Sequence, residues 1–335
     1  MSIKDRFDRF TRQIRPTDNH IEEANRQTDF MVKQLCNKVS EDKTFTLEKV
    51  LKAGSNAKFT SLRKTEENLF DIDLGAYFSG EGATKKQLNK LLQFTLDQLR
   101  SIYPTKKKGD FELLNSAVRV KFVSGIKLWV DVAPIIHDTS LKIENGGWIP
   151  RADGWRLTSV TCHNQFVTTR TARSKNVPGP VRFNRLVRMV KWWNNLQEEL
   201  TQPSIFCDCI AAAAYEEMGL TTEWQSSLVG AFRFMLKYRF RSPIVFNDYY
   251  DASKIKLPND PVIVIDSVNP SNNITASWTE TIRNKYLERV QDAYESMRYA
   301  RSYELDGDED GAVGEWSRVF SEKFRSLSNP SEKGD

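Results

Sequence analysis

Three aspartates and one glycine–serine pair carry the clearest chemistry in this chain. Asp71 and Asp73 stand two apart in Phe70-Asp71-Ile72-Asp73-Leu74, alternating with apolar residues. That period of two describes a strand with one apolar face, and on the other face the two aspartate Cα atoms lie roughly 7 Å apart. Asp131, in Trp129-Val130-Asp131-Val132, occupies a second strand of the same kind. Three carboxylates gathered on one face repel by up to about 4 kcal/mol per close pair at the effective dielectric of a protein surface, so the trio implies a cation. Magnesium suits it, preferring oxygen ligands while keeping positions for water and phosphate; manganese is the alternative. Two such ions serve the joining of nucleotides, one activating an attacking hydroxyl and the other steadying a triphosphate and its departing pyrophosphate. Asp131 is then the candidate to accept the hydroxyl proton.

Gly54-Ser55, within Gly54-Ser55-Asn56-Ala57-Lys58-Phe59-Thr60, supplies the complementary part. Glycine lets the backbone approach a phosphate, the amides that follow attract the anion, and Ser55 adds a hydroxyl donor. Taken singly, an Asp-x-Asp is most often a solvated face or turn, and a Gly-Ser pair is commoner still. Their order, with a third strand aspartate, is what makes the set specific.

The elements that must position these groups follow from periodicity. Phe7, Phe10 and Ile14 share a helix face, Pro16 interrupts, and a second helix runs from Glu22 and Glu23 toward Val39 as a brace. From about Phe45 the pattern turns to short strands: Leu69 to Phe78, then Val118 to Val123 and Ile126 to Val132 with Ser124-Gly125 as a hairpin turn. After Pro180 the chain reads as helical. Phe183, Leu186, Val187, Val190 and Leu196 form one stripe, Ile205 to Tyr215 an apolar run, and further helices are expected at 224–238, 280–301 and 313–327. The expected fold is α+β. A small mixed sheet within residues 1–180, with its bracing helices, packs on a helical lobe of residues 181–335, and the ligand cleft falls between them.

At 335 residues the chain is long enough to bury a substantial core without staples. Four cysteines with no Cys-x-x-Cys pair, and only three histidines, fit neither a disulfide framework nor a zinc ribbon. No apolar run reaches the roughly 18 residues of a membrane span, and Ser2-Ile3-Lys4-Asp5-Arg6 is no signal peptide, so a soluble cytoplasmic protein with no membrane partner is expected. A formal net charge of +5 suits polyanionic ligands without demanding them.

With Gly54-Ser55 and the three aspartates in this order, the chain resembles the nucleotidyltransferases of the polymerase-beta superfamily, in the branch of oligoadenylate synthase and cyclic GMP-AMP synthase. It is most similar to the bacterial oligonucleotide cyclases of antiphage signalling, the CD-NTases. The resemblance extends over Val187-Arg188-Met189-Val190-Lys191-Trp192-Trp193, Ser204 with Asp208, Val245-Phe246-Asn247-Asp248 with Ala252-Ser253-Lys254-Ile255, and Val264 to Asn273. It implies a polymerase-beta-like fold and a magnesium-dependent transferase that makes a cyclic oligonucleotide such as cyclic triadenylate from ATP, alone or with other nucleoside triphosphates, and releases pyrophosphate. It also implies a HORMA-domain activator, a AAA+ ATPase regulator and double-stranded DNA as candidate partners. A linear oligoadenylate synthase, a transferase that adds nucleotides to RNA or protein, and a catalytically silent binding module are the alternatives. Two positions depart from the pattern: Phe59 stands where a second glycine is usual, and Ser267 where Asp-Pro is usual.

The resemblance further implies that Lys191 contacts the donor triphosphate, from the edge of its helix stripe; a solvated lysine is the plain alternative. Ser204 is either a nucleotide contact or a helix N-cap. Asp208, one turn on from Ser204, is by the same resemblance a nucleotide-binding candidate, and in so apolar a helix it needs a partner or a pocket. Tyr249 and Tyr250 either stack on a base or merely pack. Asp306 to Gly311 mimics a calcium loop but has Ser317 where the bidentate glutamate belongs, so a solvated loop is expected. Basic residues at 106–108, at Arg170, Arg173 and Lys175, and at Arg182, Arg185 and Arg188 either face solvent or form a nucleic-acid patch.

Overall fold

The structure, a computed structural model, describes residues 1–39, 44–63, 70–84, 88–123, 127–151 and 154–327. The chain divides into two compact units, one of Pro16–Phe166 and one that joins Met1–Arg15 to the chain from Val167 onward. Each is treated separately below. Among the described residues no helix is long and apolar enough to cross a membrane.

The first unit is built on a mixed sheet. Its strands are β1 (Thr46–Ala53), β2 (Phe70–Ser79), β3 (Phe111–Leu113), β4 (Val118–Phe122), β5 (Leu128–His137), β6 (Gly147–Arg151) and β7 (Gly154–Thr158). The main path runs β1-β2-β5-β4-β3, with β6 paired to β5 and β7 to β6. Only β2 and β5 run parallel; the other pairs are antiparallel. Phe70, Ile72 and Leu74 of β2, Val130 and Val132 of β5, and Val118 and Val120 of β4 point to one face. There they pack with Met31, Leu35 and Val39 of α2 (Asp18–Val39) and Leu91 and Leu99 of α4 (Leu88–Ile102). The strict alternation of β2 ends at Leu74, because Tyr77 and Ile135 on the opposite face are covered by Val160, at the start of α5 (Val160–Arg173). The polar face is thus confined to the first half of β2. Between β1 and β2 lies α3 (Gly54–Ala57), a single helical turn. The expected Ser124-Gly125 turn lies outside the described residues, as does Leu69.

The second unit is helical: α1 (Ile3–Gln13), the later part of α5, α6 (Phe183–Asn195), α7 (Ser204–Met218), α8 (Trp224–Tyr238), α9 (Glu280–Leu305), α10 (Glu309–Phe320) and α11 (Glu322–Arg325). The first helix belongs here because its aromatic stripe has aromatic partners: Phe7 meets Trp316 edge-on at 4.8 Å and Phe324 at 4.9 Å, and Phe10 meets Phe320 at 5.1 Å. Between α8 and α9 the chain is irregular and braced by side chains. Asp266 Oδ1 accepts from the amides of Val268 and Asn269, and Asn273 Oδ1 accepts from the amide of Val264. Ser267 is buried within that brace, and Tyr250 donates its hydroxyl to the Asp266 carbonyl at 3.0 Å, a packing role. Asp308 caps α10 by accepting from the amide of Gly311.

Candidate active site

Strand register assembles the site. Because β2 and β5 run parallel with Asp73 opposite Asp131 and Asp71 opposite Trp129, the three aspartates share the face turned away from the core. Antiparallel β4 places Arg119 opposite Asp131, and β3 places Glu112 opposite Arg119. One row across the sheet therefore reads Asp73, Asp131, Arg119, Glu112. On the other side of β2, Ala53 at the end of β1 pairs with Asp73, which delivers the Gly54 turn to the same place. Gly54 has φ +67°, and a Cβ built there would lie 1.8 Å from Asp73 Oδ2, so close approach to the carboxylate demands glycine. Ser55 Oγ lies 3.1 Å from Ser61 Oγ.

The electrostatics reflect this crowding. Burial, then the charges of Asp131 and Asp71, push the Asp73 carboxyl up to about 6, with Lys58 and Arg119 pulling the other way. Arg119 grips Asp131 with two parallel bonds, Nε to Oδ1 at 2.7 Å and Nη2 to Oδ2 at 2.8 Å. The bond to Asp131 holds the guanidinium pKa above its usual value. Its carbon lies 4.4 Å from the centre of the Trp129 ring. A set of hard oxygen donors on one face, one of them with its pKa raised by burial and then by its neighbours' charge, fits a divalent cation. Among the described residues, as the side chains stand, no group of three His, Cys, Asp or Glu residues has metal-holding geometry. Both oxygens of Asp131 are engaged by Arg119.

The remaining expected residues lie in the helical unit. Lys191 is fully enclosed, not at an exposed stripe edge, and its Nζ lies 2.8 Å from Asp208 Oδ1; the two side chains are 3 % and 2 % exposed. Asp208 thus finds its partner in Lys191. Ser204 is exposed as the first residue of α7, and Pro203 holds the N-cap position with no side-chain cap bond, so Ser204 is not the N-cap. Among the basic groups, Arg170 is buried against Asp248 (2.8 and 3.0 Å) and Glu216, and Arg188 is buried too. Neither is the surface group of a patch. Phe59, the first departure, takes φ +57° and is 67 % exposed. The position adopts a left-handed backbone that glycine fits and phenylalanine strains.

Lys58 and Arg119 escaped the sequence reading. Lys58 carried a signal, as a lysine four residues after the glycine turn. Arg119 carried one only if the β4/β5 register is known.

Residues 1–170 match the Second Messenger Oligonucleotide or Dinucleotide Synthetase domain. A CBASS oligonucleotide cyclase, CdnC, of Escherichia coli strain KTE188 is 30% identical over 324 residues, covering 93% of this chain and 96% of that protein. A cyclic AMP-AMP-AMP synthase of Escherichia coli strain MS 115-1 is 30% identical over 305 residues, 88% of this chain and 89% of that one. The solved complex of E. coli MS115-1 CdnC with HORMA-deltaN superposes with a TM-score of 0.80 at 26% identity, covering 96% of this chain and 98% of that one.

Proposed function

The chain belongs to the Second Messenger Oligonucleotide or Dinucleotide Synthetase family, and from that premise we propose that it joins ATP units into a cyclic oligonucleotide, cyclic triadenylate, in CBASS antiphage signalling. One observation carries the reading: Asp73 and Asp131 are register partners on adjacent parallel strands with Asp71 on the same face, beside a glycine turn that contacts Asp73. The similarity to a cyclic AMP-AMP-AMP synthase supports adenine as the base and three as the ring size.

In this reading Asp71, Asp73 and Asp131 hold divalent magnesium, which supplies Lewis-acid stabilisation of charge on the reacting phosphate. Asp131 takes the proton of the attacking ribose hydroxyl. The hydroxyl oxygen forms a bond to the α-phosphorus as the bond to pyrophosphate breaks, and the last such step closes the ring. Backbone at Gly54 and the hydroxyl of Ser55 bind the donor phosphates. Lys191, Asp208 and Ser204, all of the helical unit, are the further nucleotide-binding residues that the family resemblance supports. A HORMA-domain activator is supported by the similar CdnC:HORMA-deltaN complex. Double-stranded DNA and a AAA+ regulator complete the proposed control.

The test is to incubate the chain with ATP and magnesium, with and without a HORMA-domain protein and double-stranded DNA, and to identify products by mass spectrometry. Cyclic triadenylate that disappears in Asp73→Ala supports the reading. Linear oligoadenylate would replace ring closure with simple extension. Identical traces for wild type and variant would make the chain a silent binding module.

A further inference from the structure

Arg119 has no part in the chemistry above, yet it occupies one of the groups that chemistry needs. Resting on the reading that Asp131 is a metal ligand, we propose that Arg119 and a divalent cation compete for Asp131, and that Glu112 receives Arg119 when the cation takes the carboxylate.

A guanidinium and a carboxylate joined through two parallel charge-assisted bonds form a strong side-chain pair, which takes up one lone pair on each oxygen and sets a fixed positive charge against any second cation. At 2.7 and 2.8 Å the Arg119–Asp131 pair has that form. The pair is not sealed, its side chains being 20% and 16% exposed, so exchange does not require the sheet to open. Arg119 has somewhere to go. Glu112 is its cross-strand partner on β3, and directly opposite residues approach within side-chain reach. Glu112 now pairs with Lys121 at 3.0 Å, and its side chain is 44% exposed, leaving it open to a second cation. Lys121 in turn lies 5.7 Å from the Trp129 ring, on the face that Arg119 also uses. The row Asp131, Arg119, Glu112 thus offers one arginine two acids, and a cation bound at the first transfers the arginine to the second. Arg119 acts through Asp131, so it is a positioning residue. It neutralises the aspartate row when no divalent ion is bound and sets the ion concentration at which the row is taken over.

Direct Mn2+ titration, reading the free-ion electron paramagnetic resonance signal without nucleotide, separates this from activity. Arg119→Gln removes the competitor and is expected to bind Mn2+ about tenfold more tightly, the scale of a lost charge-assisted bond pair, or about 1.4 kcal/mol. Arg119→Lys keeps the charge but not the fork and should fall between that variant and wild type; it also serves if Arg119→Gln folds poorly. Glu112→Gln, an exposed change, removes the receiving acid and should bind Mn2+ about threefold more weakly, the scale of a partly exposed ion pair. Unchanged or weaker binding in both Arg119 variants overturns the competition, and unchanged binding in Glu112→Gln overturns the transfer. If wild type binds no more Mn2+ than Asp73→Asn, the metal reading itself fails, and this inference with it.

Discussion

Replacing Asp73 with asparagine should stabilise this protein in EDTA, although the residue is the centre of the proposed site. The structure sets the size. Burial and the charges of Asp131 and Asp71 raise the Asp73 carboxyl from an ordinary 3.8 to about 6, and a difference of that size corresponds to about 3 kcal/mol of unfavourable ionisation in the fold at neutral pH. An acid whose folded pKa lies above its unfolded one is destabilising when ionised. The penalty is complete above pH 6, shrinks as pH falls from 6 toward 3.8, and is absent below. Asp73→Asn is nearly isosteric and uncharged, so it should raise the midpoint of the Pro16–Phe166 unit by about 6 to 12 °C at pH 7.5, at roughly 2 to 4 °C per kcal/mol for a unit of this size. The gain should fade toward pH 4. Thermal unfolding followed by circular dichroism across pH 4 to 8, in EDTA and in magnesium, measures it. Magnesium should reverse the ranking, because wild type gains an ion that the variant binds poorly. A variant equal to or less stable than wild type in EDTA at pH 7.5 would show that these carboxylates do not repel, and the electrostatic case for a cation would go with it.

Gly54→Ala places a methyl group 1.8 Å from Asp73 Oδ2 at a backbone φ of +67°; a loss of about 2 kcal/mol in urea unfolding is expected, together with loss of ATP turnover. Lys191→Met or Asp208→Asn alone strands a buried charge and should cost about 3 to 5 kcal/mol, whereas Lys191→Met with Asp208→Leu should cost far less, as a double-mutant cycle would read. Arg170→Lys retains charge but loses the paired bonds of 2.8 and 3.0 Å to Asp248, and chemical denaturation should show a loss of about 2 kcal/mol.

Local pattern made a large part of this protein legible. Alternation in Phe70 to Leu74 put Asp71 and Asp73 on one face, since side chains on a strand repeat every two residues whatever lies around them, and the structure keeps that face. The apolar stripe of α6 was readable for the corresponding reason of helical period, whereas α7 showed itself as an unbroken apolar run. Helix α5, with Val160 and Phe166 inward but Thr161, Asn164, Gln165 and Thr168 around them, has too weak an apolar stripe to announce itself.

Pairing between distant segments was decided by the tertiary structure alone. A two-residue turn at Ser124-Gly125 would set Val123 against Ile126 and, counting outward, Arg119 against Val130. The actual register sets Arg119 against Asp131. A slip of one residue moves every side chain to the other face, so the arginine that grips the third aspartate could not be found from spacing. Lys191 and Asp208 likewise each looked like a group in need of a ligand, and only the packing of α6 on α7 made them each other's partner. Strand and helix periods are properties of the covalent chain and survive in any context. Register and ion pairing depend on where two backbones meet, which the chain settles only on folding.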